Sequence, residues 1–187
     1  MICISLPLIA GIADRAAGTS AALTGPELMT ENGCLTEQGS DVFWDRAILY
    51  ALRGIFYTGN PDKALEILHR LSQRRLLGDH VPYAVEAWPE GSQRHLSAES
   101  GLYCRVITEG LFGIRPTGLR SFMMNVNLPS GWNGMSLHHI RAFGSDFDLK
   151  VFRDSENGLR VTVTEHTVSG DKVRTLTPKQ GKIFVNL

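Results

Sequence analysis

The residues best suited to chemistry lie close together in the chain. Between His80 and His95 stand Tyr83, Glu86, Trp88, Glu90 and Arg94, in a stretch interrupted by Pro82, Pro89 and Gly91. Aromatic faces stack on the apolar side of a pyranose ring, while Glu, Arg and His side chains hydrogen-bond its hydroxyls. Core packing gives no reason for such a mixture, so the stretch reads as the wall of a sugar site. Cleaving a glycosidic bond with inversion takes one protonated carboxyl for the leaving oxygen and one carboxylate to activate water, roughly 6.5–9.5 Å apart. Glu86 and Glu90 are the candidate catalytic carboxylates. A loop does not fix their separation, so they need not be the acid and base of one pair. They also suit a plainer role, as exposed carboxylates ahead of a helix that begins near Ser97.

Other candidates surround this stretch. Asp41, Trp44, Asp45 and Arg46 crowd a helix start. Trp44 and Asp45 could contact a substrate, and a cap, a first-turn acid and an ion pair to Arg46 explain the same residues equally well. Glu99 joins Tyr83, Trp88, Arg94 and His95 as a substrate-binding candidate, although the helix dipole alone favours an acid in a first turn. His138 and His139 are neighbours in an expected strand, where adjacent side chains face opposite ways, so the pair is not expected to chelate one ion. His69 and His80 lack a partner at ligand spacing, and no H-x-x-x-H, Walker or dinucleotide glycine motif occurs. Neither a metal nor a cofactor is expected. Cys3, Cys34 and Cys104 form no C-x-x-C pair and read as buried small hydrophobes.

Two kinds of element must position these groups. From Asp41 onward Val42, Phe43, Ile48, Leu49, Leu52, Ile55 and Phe56 recur at helical spacing, and Thr58-Gly59-Asn60 supplies the stop. Asn60-Pro61 opens a second helix with Ala64, Leu65, Leu68 and Leu71 on its stripe, giving an αα-hairpin. A short helix is expected near Asp14–Leu23 and a third longer one over Ser97–Glu109, closed by Gly110. After Pro116 the pattern changes to short β runs: Leu119–Asn127, Met135–Phe143, Phe147–Arg153, Leu159–Glu165, Lys172–Thr177 and Lys182–Asn186. Leu159, Val161 and Val163 alternate with Arg160, Thr162 and Thr164, as in an antiparallel strand with one wet face. Asn157-Gly158 marks a hairpin turn, while Gly110, Gly113 and Gly118 read as turn punctuation. The order, helices then strands, implies an α+β fold: a helical-hairpin region over 1–116 and an antiparallel β tail over 117–187.

Composition excludes several classes. The chain has 187 residues, 43% of them hydrophobic, and 19 basic side chains balance 19 acidic ones. That is ordinary globular composition without the basic stripe of a nucleic-acid binder. The apolar opening from Met1 to Ala13 lacks a basic start and is too short for a membrane span, so it reads as a buried segment of a larger fold.

Longer stretches carry a family likeness. Gly39-Ser40-Asp41-Val42-Phe43-Trp44-Asp45-Arg46, Arg74 through Tyr83, Pro89 through Ser100, and Gly110-Leu111-Phe112-Gly113-Ile114-Arg115-Pro116 together resemble the last hairpins of bacterial six-hairpin glycosidase-like proteins. The likeness runs from about Gly39 to Leu149. It implies part of an (α/α) toroid leading into a β-sandwich tail, in a bacterial cytoplasm or periplasm. Among the α-L-rhamnosidase-like members a general-base Glu sits in an aromatic-rich loop before a late helix, and Glu86 is the matching position. Here Trp88 follows that Glu, where the relatives carry aromatics before it, and Ser97-Ala98-Glu99 replaces their Asn-His, so Glu90 stays an alternative. The general acid of the family lies in an upstream hairpin outside these residues. The resemblance therefore implies a portion of an inverting glycoside hydrolase, inactive alone, with an oligosaccharide or glycoside as ligand. Its partners would be the remaining barrel hairpins or a second copy. A carbohydrate-binding module without turnover, or a barrel-closing structural segment, is the alternative.

Overall fold

The structure, a computed structural model, describes residues 2–12, 14–77, 87–88 (backbone only), 97–179 and 181–187. It is α+β and divides into two compact units, Met1–Leu111 and Phe112–Leu187.

In the first unit the helical stripe does what its spacing implies. Ile48, Leu49, Leu52, Ile55 and Phe56 of α3 (Asp45–Tyr57) are each no more than 2% exposed, and burying a side chain of this size contributes about 1.5–3 kcal/mol. The opening segment forms a helix, α1 (Ile2–Ile9), and α2 (Ala16–Thr24) follows it. Leu8 of α1 lies so near α3 that a Cβ on Gly54 would stand 3.1 Å from its own Cβ. Asn60 caps α4 (Pro61–Arg75), its side chain accepting the Lys63 N–H, with Pro61 in the first turn. Ala64, Ile67, Leu68 and Leu71 of α4 are buried.

Four expectations for this unit need correcting. The α3 helix starts at Asp45 and not at Asp41, because Phe43–Trp44 is extended as β3 and pairs antiparallel with β4, Ala87–Trp88. Strand pairing satisfies those backbone groups, and Val42 stays exposed. The last helix is α-helical only over Ser97–Arg105 (α5) and continues as a π-helical turn, Val106–Leu111. In that turn Glu109 accepts from Arg53 on α3 and from Arg105, and Gly110 lies against Phe56 so closely that a Cβ would come within 2.9 Å of the ring. Gly110 is therefore a packing residue. Of the cysteines, Cys34 is buried, which pushes its thiol up to about 12, but Cys104 is exposed. Cys34 belongs to a small hairpin, β1 (Met29–Thr30) with β2 (Gly33–Cys34).

The second unit holds two antiparallel sheets. One has the order β11-β6-β5, built from β5 (Ile114–Gly118), β6 (Ser121–Met124) and β11 (Ile183–Asn186); the strands thus begin before Pro116. The other is a meander of β7 (Gly134–Ala142), β8 (Ser145–Arg153), β9 (Leu159–Thr167) and β10 (Gly170–Leu176). Phe147, Leu149 and Val151 alternate with Asp146, Asp148 and Lys150 on β8, and Val161 and Val163 alternate with Thr162 and Thr164 on β9. The buried residues form an inner face on which Phe122 of β6 stacks with Phe147, ring centroids 5.5 Å apart. Gly113 has φ +65°, and a Cβ there would sit 2.0 Å from the Asn125 carbonyl oxygen.

The strict alternation expected at His138-His139 fails. Leu137 pairs with Leu149 and Ile140 with Phe147, so two residues on β7 face the single Asp148. This is a β-bulge, and His139 adopts φ +52° within it. The extra residue turns both imidazoles toward the polar face, where His138 Nδ1 lies 3.0 Å from Asp148 Oδ2 and the His139 N–H donates to Asp148 Oδ1 at 2.8 Å. The His139 N–H, more than any other group, holds the Asp148 carboxyl well below the usual carboxylate range. Bonds to Asp171 and then Asp148 push His166 up to about 8. Since this exceeds the unfolded value near 6.5, the stabilisation from these bonds is complete below about pH 6.5 and is lost as pH rises through about 8.

Gly113→Ala should destabilise the protein toward the upper end of the ~0.5–3 kcal/mol usual for single substitutions, since the new methyl meets backbone that cannot swing aside. Urea denaturation followed by circular dichroism measures it. A change below about 0.5 kcal/mol would mean that the close approach to Asn125 does not exist in solution.

Candidate functional site

The start of α3 gathers the sequence candidates that fall among the described residues. Trp44, the residue before the helix, is extended and 42% exposed. Its backbone pairs with Ala87, the residue that follows Glu86 in the chain, while Phe43 pairs with Trp88. The loop singled out for its chemistry is thus tied at Ala87–Trp88 to the segment that carries Trp44 and Asp45. Tyr83, Glu86, Glu90, Arg94 and His95, and the side chain of Trp88, lie outside the described residues.

The first two residues of α3 send their side chains to different helices. Asp45 is 1% exposed and accepts from Arg75 at the end of α4, Nε to Oδ1 3.1 Å. Arg75 is itself 2% exposed and also donates to the carbonyl of Asn32, in the turn between β1 and β2, at 2.9 Å. Arg46 turns instead to Glu99 on α5, Nε to Oε1 2.7 Å. The sequence suggested an ion pair of Arg46 within this helix start; the pairing found is crossed, because neighbours on a helix point about 100° apart and reach different partners.

Glu99 is the least expected of these residues. A first-turn acid is usually a solvated one, yet this side chain is fully buried. Only Oε1 meets Arg46, and Oε2 is buried with no hydrogen-bond partner among the described residues. An unsatisfied buried carboxylate oxygen is costly, about 1–3 kcal/mol or more for a charged group. Nearby, the Tyr103 hydroxyl of α5 is 2.6 Å from Ser72 of α4, so α5 is held against both helices of the hairpin. The start of α3 thus carries the exposed Trp44 two residues before Arg46, whose half-exposed guanidinium reaches the fully buried Glu99 carboxylate. The exposed indole can stack an apolar ring face.

Nothing outside the molecule refines this. No family model, no curated protein and no solved structure matches the chain. Among the described residues no helix is long and apolar enough to cross a membrane.

The Asp45–Arg75 pair carries a prediction of its own. Removing one member takes a charged partner from a buried ion, so Arg75→Met should cost about 3–5 kcal/mol, and the double variant Asp45→Leu/Arg75→Met should cost clearly less than the sum of the two single changes. Urea midpoints of the four proteins give the coupling. Strict additivity would show that the two side chains do not interact in the folded protein.

Proposed function

We propose that this chain is a portion of a carbohydrate-active protein of the six-hairpin glycosidase-like kind, forming one wall of a sugar-binding site. The observation that carries the reading is the Arg46–Glu99 pair. A wholly buried carboxylate gives one oxygen to Arg46 and has the other without a partner among the described residues, and the exposed Trp44 lies two residues before Arg46 in the chain. A glycan supplies both complements, hydroxyl donors for the oxygen and an apolar ring face for the indole.

In this reading Trp44 is the stacking platform and Glu99 accepts a hydroxyl. Glu86, placed by the resemblance in the aromatic loop before the late helix, is the general base that activates water, with Glu90 its alternative. The general acid comes from residues beyond these 187, so the chain alone binds without turning over. The pairing of Phe43–Trp44 with Ala87–Trp88 supports the link between the Glu86 loop and Trp44.

Calorimetric titration of the chain with a panel of oligosaccharides should find a ligand whose affinity falls at least about tenfold in Trp44→Ala, the loss of one stacking contact. When further helical hairpins are supplied and turnover appears, Glu86→Gln should lower kcat by about a hundredfold or more. Saturable binding with no turnover in that assembly would favour a purely carbohydrate-binding module. An absence of any glycan binding would overturn the proposal, and hydrolysis of aryl glycosides by the chain alone would overturn the assignment of the acid.

A further inference from the structure

The polar face of the β7–β10 sheet holds a second concentration of chemistry, separate from the residues discussed above. The bulge at His138-His139 brings His139 over His166 of β9, ring centroids 5.0 Å apart, with Asp148 of β8 between their strands. One ligating atom from each of His139, Asp148 and His166 lies within 4.8 Å of the other two.

We propose that His139, Asp148 and His166 bind a divalent transition-metal ion of the zinc class, through two imidazoles and one carboxylate, with a further position open to water or an exogenous ligand. Two independent features support the ligand set. The first is spacing: His166 Nε2 and Asp148 Oδ1 are 3.1 Å apart, and two adjacent ligands at about 2.0–2.1 Å from a tetrahedral zinc are separated by roughly 3.3 Å. An ion can replace the proton between them with little movement. The second is the outer support that metal-binding histidines ordinarily have, a carboxylate on the ring nitrogen that does not bind metal. Nδ1 of His166 lies 2.9 Å from Asp171, and Nδ1 of His139 lies 3.2 Å from Asp146. Each ring thus has one nitrogen on its own carboxylate, which fixes its orientation and leaves Nε2 as the ligating atom. Two imidazoles with one carboxylate suit zinc and its first-row neighbours better than calcium or magnesium, which take oxygen ligands almost exclusively.

Access is direct. His166 and Asp146 line an open cleft with Arg141 and Lys172, so an ion held here is reachable from solvent. The site belongs wholly to the second unit and uses none of the residues of the sugar-site reading, so either proposal can fail alone.

The test is calorimetric titration of the metal-depleted full chain with Zn²⁺, without sugar. One ion per chain is expected. His139→Gln, His166→Gln and Asp148→Asn should each abolish that binding or weaken it far more than tenfold, Asp171→Asn should weaken it about tenfold, and His69→Gln on α4 should leave it unchanged. These side chains lie on the polar face, so the variants should keep the wild-type circular dichroism spectrum. A measurement without variants guards against misfolding: in ¹H–¹⁵N spectra of the wild-type chain, Zn²⁺ should shift first the resonances of His139, Asp148 and His166. Absence of saturable binding, shifts centred on other histidines, or unchanged affinity in the folded His139→Gln/His166→Gln double variant would each overturn the proposal.

Discussion

The first unit depends on how the opening turn of α3 is held. Asp45 and Arg46 stand side by side in the chain and are bound to two different helices, Asp45 to Arg75 at the end of α4 and Arg46 to Glu99 at the start of α5. Apolar stripes bring helices together with little regard to which neighbour they meet, since many packings bury similar area. Charges are less permissive. Moving a buried carboxylate and guanidinium out of water costs several kcal/mol per ion, recovered only when each finds its partner in good geometry. The crossed pairs therefore select one arrangement of α3, α4 and α5, and the bond from Arg75 to Asn32 extends that selection to the β1–β2 hairpin. The Glu109 link to Arg53 does the same at the π-helical turn.

Much of this architecture was legible in the chain. The stripe of α3, the Asn60-Pro61 start of α4, the Asn157 turn with φ +60° and the alternation along β8 and β9 follow from local spacing, and the structure has each of them. What escaped depended on partners distant in sequence. Nothing local says that Phe43–Trp44 will leave the helix to pair with Ala87–Trp88, or that Asp45 will reach Arg75 and Arg46 will reach Glu99. A two-residue period likewise hides a bulge, so His138 and His139 seemed bound to opposite faces until two residues were found opposite one. Gly110 and Gly113 looked like turn markers and prove to be points where another group leaves no room for a Cβ.

The candidate site shows the same division. Trp44, Asp45 and Glu99 were selectable by residue type and by position at helix starts. Their separation into roles was not, because partners distant in sequence decide it: Asp45 is sealed against Arg75 at the end of α4, and Glu99 meets Arg46 at the start of α3. The two units also differ in how they present polar groups. In the helical unit charge is interior and specifies packing; in the β unit the imidazoles and carboxylates lie on the wet face of a sheet whose inner face is already filled by Phe147, Leu149, Val161 and Val163.

The central functional claim is that a glycan meets the start of α3 and α5. Mapping of amide shifts in the ¹⁵N-labelled chain during titration with an oligosaccharide tests it most directly. The account predicts progressive shifts at Trp44, Asp45, Arg46 and Glu99 and at the Trp44 indole N–H, with the strands β7 to β10 silent. Shifts confined to the β unit, or none at saturating sugar, would contradict it.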